Sequence, residues 1–207
     1  MYITIMSINV ELNIKEINIE VCRNVLKMLE RRKLIDNHQL VFDKIFNDIN
    51  NKASLEFTLN NNNKYSIYII NAKVSSIIQG TPIDDFLSNN IDIHKIIVIK
   101  ECSKKAVKQI TTDYKNAEFF FEHEMLEDIP SKSFIPEHQL LSVDELNELL
   151  SKFSHNELSI IYNTDMMSRY YNAKVGDVFR IIRPTVTSGN SIFYRRVHNG
   201  PWDILFS

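Results

Sequence analysis

The chain has 207 residues, 44% of them hydrophobic, with 24 Lys and Arg against 26 Asp and Glu and a formal net charge of -2. That length supplies a core for one large domain or two small ones, and the near-neutral balance argues against a protein that binds nucleic acid alone by neutralising phosphates. The longest apolar runs, "SIYII" and "KIIVI", are too short to span a bilayer, and "MYITIMSINVELNIKE" lacks the basic start and cleavage site of a secretory signal, so a soluble protein without membrane contact is expected.

From Asn13 the spacing of Ile17, Val21, Val25 and Met28 or Leu29 predicts an amphipathic helix, with Asn13 and Glu16 as a capping pair. It ends in the basic cluster Arg31, Arg32 and Lys33, which can touch phosphate, although cations at a helix C-terminus also suit the dipole and are mostly solvated. A second helix repeats Val41, Ile45 and Ile49. "SLEFTL" alternates Leu55, Phe57 and Leu59 inward, an Asn-rich turn follows and "YSIYII" returns, a β-hairpin. "TPIDDFL" reads as a short helix with Thr81 as N-cap, Pro82 at its first position and Asp84 and Asp85 near the positive end of its dipole. "KIIVIK", "SKKAVKQITTDY" capped by Ser103, and "AEFFFEHEM" form a βαβ unit, so the first part is α/β.

Pro130 and Pro136 bracket a polar segment that cannot continue a strand ladder, which places a domain boundary between residues 1–133 and 134–207. Beyond it Ser142 and Glu145 mark a helix start, with Leu141 placed to staple onto Leu146. A strand at "SIIY", a brief helix begun by Thr164 or Asp165 and ended by Asn172, and a second hairpin of "VFRIIR" with "SIFYRRV" complete a small α+β part with a short sheet. Gly176 and Gly189 fall where the turns call for positive φ or close approach.

Familiar catalytic arrangements are missing from the sequence: no Gly-rich phosphate loop, nucleophile elbow or His-Glu-x-x-His occurs. His38, His94, His123, His138, His155 and His198 show no ligand spacing, and Cys22 and Cys102 stand singly, as buried free thiols would. Glu122 and Glu124 in "EHE" would share a strand face and could hold a hard cation, but a charged edge strand explains them as well. Two residues before Lys100 stands Val98, so the acid and lysine pair of a metal-dependent nuclease is absent there. Arg180 and Arg183 point to opposite faces of their strand, as do Arg195 and Arg196, and converge on no single atom.

The segments "IPEHQLLS" (Pro136, His138, Leu141, Ser142) and "RYYNAKVGDVFRIIRPTVTSGNSIFYR" (Tyr170, Tyr171, Gly176, Asp177, Val178, Ile181, Arg183, Pro184, Thr187, Ser188, Gly189, Tyr194, Arg195) resemble the fifth subunit shared by the eukaryotic nuclear RNA polymerases, whose C-terminal part corresponds to a small subunit of the archaeal RNA polymerase. The N-terminal part is similar only in the order of its elements. Asn172 stands where the family usually has Gly, Asp165 and Met166 replace an Asp-Pro pair, and Thr185, Val186 and Thr187 replace Ser-Glu-Thr. "SKS" is an apparent insertion, and "HNGPWDILFS" extends past the usual end with Trp202, Leu205 and Phe206.

The resemblance implies a non-catalytic subunit in two parts: a restriction-endonuclease-like but inactive N-terminal α/β domain in the jaw near downstream DNA, and a C-terminal domain that anchors to the largest subunit beside small ones. It implies an interface of Pro136, His138, Tyr170, Tyr171, Gly176, Asp177, Arg183, Pro184, Thr187, Gly189, Tyr194 and Arg195. Arg31, Arg32, Lys33, Lys104, Lys105 and Lys108 are the candidates for DNA. No cofactor, metal or small-molecule substrate is expected. The location follows the host, nuclear in a cell and a cytoplasmic factory or particle for a large DNA virus, and the Asn-rich composition favours the virus. A nuclease using Glu122 and Glu124 and a free-standing adaptor are the competing readings.

Overall fold

The computed structural model describes residues 12–60, 62–90, 92–154, 156–185 and 189–206. Helix α1 (Ile14–Arg31) begins where the Asn13 side chain accepts the Glu16 amide and the Glu16 carboxylate accepts the Asn13 amide, so two otherwise unmet donors are satisfied reciprocally. Its apolar stripe buries Val21, Cys22, Val25, Leu26, Met28 and Leu29, and α2 (His38–Ile45) adds Phe42 and Ile45 to the same core.

Strands β1 (Ser54–Thr58) and β2 (Lys64–Val74) form the expected antiparallel hairpin, with Leu55 opposite Ile67. Strands β3 (His94–Cys102) and β4 (Ala117–Phe121) continue the sheet in the order β1-β2-β3-β4, both running parallel to β2. Their connections carry α3 (Pro82–Ser88) and α4 (Lys104–Asp113), N-capped by Thr81 and Ser103 as expected. Strand β3 reads as an unbroken apolar run because both faces are covered: Ile96 and Val98 join the core under α1, while Ile97 and Ile99 join the core under α4.

The expected strand "AEFFFEHEM" stops at Phe121. Glu124 turns back to accept the Phe121 amide at 2.9 Å and starts the short helix α5 (Glu122–Met125), so Glu122 and Glu124 are buried on a helix rather than aligned on an edge strand. The chain then passes a 3-10 turn at Ile129–Ser131.

A second sheet follows, built from β5 (Glu137–Leu140), β6 (Ser159–Tyr162), β7 (Val178–Thr185) and β8 (Gly189–His198) in the order β5-β7-β8-β6. Strands β7 and β8 are the second hairpin; β5 pairs antiparallel with β7, and β6 runs parallel to β8. Helix α6 (Val143–Leu150) opens on the full Ser142–Glu145 capping box, and α7 (Met166–Tyr170) on Asp165. Asn172 follows at φ 50, the left-handed geometry its short polar side chain tolerates. The core of this sheet is small: Ile161, Phe179, Ile181 and Val197, with Tyr171 and Ala173 packed against it.

The second sheet is tied to the first at two places. Tyr170, 2% exposed, belongs to the core beneath α1. The tail crosses back in a 3-10 turn, Trp202–Phe206, and lays Trp202 5.9 Å from Phe119 and Phe206 edge-on at 6.1 Å from Phe121. Gly200 permits that path, because a Cβ there would stand 2.7 Å from the Tyr162 Cβ. No helix of the described residues is long and apolar enough to cross a membrane.

Candidate protein interface

The basic end of α1 is not a free phosphate surface. Arg31 forks onto Asp128 at 2.5 and 2.8 Å and donates to the Tyr170 hydroxyl at 2.7 Å. Arg32, with its side chain 5% exposed, forks onto Glu118 at 2.9 and 2.7 Å and donates to the Arg169 and Tyr170 carbonyls. Both guanidiniums are therefore held at the seam between the two sheets. Burial works to raise the Glu118 carboxyl, but Arg32 and the His94 ring at 2.6 Å outweigh it and hold Glu118 at about 2.

Arg169 completes the seam. It is buried, pairs with both oxygens of Glu124, donates to the Phe119 and Thr164 carbonyls and lies over the Phe119 and Phe120 rings. Glu124 thus spends its oxygens on Arg169 and the Phe121 amide, and neither it nor Glu122 takes part in a group of three or more metal-binding side chains among the described residues. The thiols are equally quiet: burial pushes Cys22 up to about 12 and Cys102 up to about 11, so both stay protonated at neutral pH.

The expected interface residues divide into two sets. Pro136, His138, Arg183 and Arg195 line one cavity of about 230 Å³ together with Ile181 and Phe193. Register explains the grouping, since His138 lies opposite Ile181, and Ile181 opposite Phe193, on one face of the sheet. Arg183 stands over the Phe193 ring at 5.8 Å, and the His138 ring nitrogen lies 2.7 Å from the Pro136 carbonyl oxygen while its ring meets Phe179 edge-on. Burial lowers the His138 pKa and so favours the neutral ring.

The remaining residues shape the scaffold. Tyr170, expected at the subunit interface, is 2% exposed in the chain itself, and Tyr171 packs on Phe179. Gly176 at φ 102 donates to the Val197 carbonyl, Asp177 caps the turn by accepting the Lys174 amide, and Gly189 at φ 75 closes the hairpin opposite Thr185. Tyr194 bonds Arg180, and Pro184 is exposed opposite Asn190. Thr187 lies outside the described residues, as do Val186, Ser188 and His155. Lys33, Lys105 and Lys108 are exposed, and Lys104 is drawn toward Asp203 of the tail at 3.8 Å.

Local patterns did not point to Glu118, Asp128 or Arg169, whose partners stand 45 to 97 residues away in the chain. Ile192 and Phe193 did carry a signal. In "SIFYRRV" three bulky residues run consecutively along a strand whose side chains alternate, so they cannot all face one core, and Ile192 and Phe193 are 54% and 50% exposed.

A family model described as RNA polymerase Rpb5, C-terminal domain, matches residues 127–197. DNA-directed RNA polymerase subunit 5 of Acanthamoeba polyphaga mimivirus is 32% identical over 183 residues, covering 84% of this chain and 88% of the relative. DNA-directed RNA polymerases I, II, and III subunit RPABC1 of Caenorhabditis elegans is 33% identical over 107 residues, 49% of this chain and 51% of the relative. DNA-directed RNA polymerase subunit Rpo5 of Thermofilum pendens is 41% identical over 75 residues, 35% of this chain and 94% of the relative.

Proposed function

This chain belongs to the family of DNA-directed RNA polymerase subunit 5, non-catalytic members of a multisubunit enzyme, and from that premise we propose that residues 134–207 dock it onto the largest subunit while residues 1–133 form part of the jaw near downstream DNA. The observation that carries the docking role is the cavity of Pro136, His138, Arg183, Phe193 and Arg195: planar donors and a half-exposed aromatic ring on one rigid sheet face suit a protein partner. An inactive restriction-endonuclease-like N-terminal domain is supported by the mixed sheet with helices on both faces and by the commitment of Glu124 to Arg169.

For DNA, Lys33, Lys105 and Lys108 are the exposed candidates, while Arg31 and Arg32 are paired with Asp128 and Glu118. The mimivirus relative spans most of the chain, which supports a viral host and with it a cytoplasmic factory or particle; the relative shared by RNA polymerases I, II and III supports the nucleus for a cellular one. Affinity purification of the tagged chain from its host, followed by mass analysis, is the test. The two large polymerase subunits are expected in stoichiometric amounts, and their absence would end the reading. The nuclease alternative is tested by incubating the purified chain with Mg²⁺ and plasmid DNA, where no cutting is expected.

A further inference from the structure

The hydrogen-bonding phase of β5 can be read from two facts: the Leu141 amide donates to the Val178 carbonyl at 3.0 Å, and Leu141 and Val178 lie directly opposite, in line with the pairs Gln139↔Arg180 and Glu137↔Ile182. In an antiparallel pair, bonded and non-bonded positions alternate. Glu137, Gln139 and Leu141 therefore spend their backbone groups on β7, and the amides and carbonyls of His138 and Leu140 face outward. Strand β5 is the edge of its sheet, so no strand among the described residues meets them.

That edge does not lie on a convex surface. It forms one wall of a groove of about 760 Å³, whose other walls are the end of α1 at Arg31–Lys33, the segment carrying Pro130 and Ile135, and the α6 side at Glu145. The groove runs along residues 136 to 140, the length of the four-residue strand and the proline before it. Its two faces differ chemically. On one face stand His138 and Leu140, Leu140 being 37% exposed, with Pro136 at the far end of the groove; on the other stand Gln139 and Arg180, with Lys33 in the groove lining, an exposed cation with no ion pair among the described residues.

We infer that the groove receives an extended segment of a neighbouring polymerase subunit, which adds to β5 as a further strand. Its backbone meets the outward groups of His138 and Leu140, its apolar side chains fall toward Leu140 and Pro136, and its polar side chains, with a carboxylate at Lys33, fall toward Arg180. This rests on the polymerase-subunit reading and names the contact by which the partner is held. Exposed edges are otherwise a liability for pairing with wrong chains, and occupation by a fixed partner removes it.

The test compares the free full-length chain with the assembled complex by hydrogen exchange resolved at residues 137–141. The amides of Gln139 and Leu141 are protected in both, whereas those of His138 and Leu140 exchange freely in the free chain and slow by about a hundredfold or more on assembly. Proline scanning reads the same alternation. Leu140→Pro removes an outward amide only, so the free chain melts as wild type but assembles at least about tenfold more weakly, while Gln139→Pro breaks the β7 ladder and lowers the melting temperature.

Assembly of the wild type with unslowed His138 and Leu140 amides overturns the inference and leaves the polymerase reading standing. A wild type that recovers no polymerase subunits overturns both. Should Leu140→Pro fail to fold, the wild-type exchange rates alone decide.

Discussion

Strand β3 buries both of its faces, under α1 on one side and α4 on the other, whereas the β7–β8 hairpin rests on a core of four side chains and leaves Ile192 and Phe193 half-exposed. The first sheet can hold itself together by apolar burial. The second holds its place by other means: the Arg32 bonds to the Arg169 and Tyr170 carbonyls, the Arg169–Glu124 pair, the buried Tyr170 ring, and a tail that returns to the first sheet. A sheet whose core face is covered at one end and open at the other, around Phe193, suits a docking element, since the rigidity comes from one neighbour and the burial of the open end from another.

The contrast can be broken hardest at the seam. Arg169→Ala leaves Glu124 buried and unpaired, a loss of about 3 to 5 kcal/mol by denaturant unfolding, and Arg169→Met with Glu124→Gln recovers much of it because no lone buried charge remains.

Glu118 gives the seam a pH signature. Its carboxyl sits at about 2 against an ordinary 4.5, so as the pH falls the unfolded chain binds the proton first. Its contribution is complete above pH 4.5 and is lost as the pH falls toward 2. Thermal melts of Glu118→Gln are expected to lose less stability over that acid range than wild type; equal slopes would show that Glu118 does not set the acid limit.

Deleting residues 201–207 uncovers Phe119 and Phe121 and is expected to cost about 2 kcal/mol, read as a lower melting temperature with the second-sheet signals retained. The smallest effect belongs to a local feature of the second part: Ser142→Ala removes the α6 cap at about 1 kcal/mol without touching the seam.

The sequence made legible what depends on near neighbours. The Asn13–Glu16 and Ser142–Glu145 boxes, the caps at Thr81 and Ser103, both hairpins and the βαβ unit follow from spacing and appear as expected. The four residues of β5 carry no alternation, and β6 finds its parallel partner 36 residues on, so neither the edge strand nor its groove was visible. The misreading of "EHE" has a physical origin: apolar Phe119–Phe121 continue the strand pattern up to the point where a single bond from Glu124 to the Phe121 amide ends it. Arg31, Arg32 and Tyr170 look like surface chemistry because the acids and core that absorb them lie more than 80 residues away.

We propose the hairpin face as a contact made for a larger assembly. Its most direct measurement is stoichiometric recovery of the polymerase by tagged wild type and by tagged Phe193→Glu, with both melting temperatures recorded. Full recovery by the wild type and loss by the variant at an unchanged melting temperature are expected, because Phe193 is half-exposed and supports no core. Equal recovery by both proteins would contradict the claim.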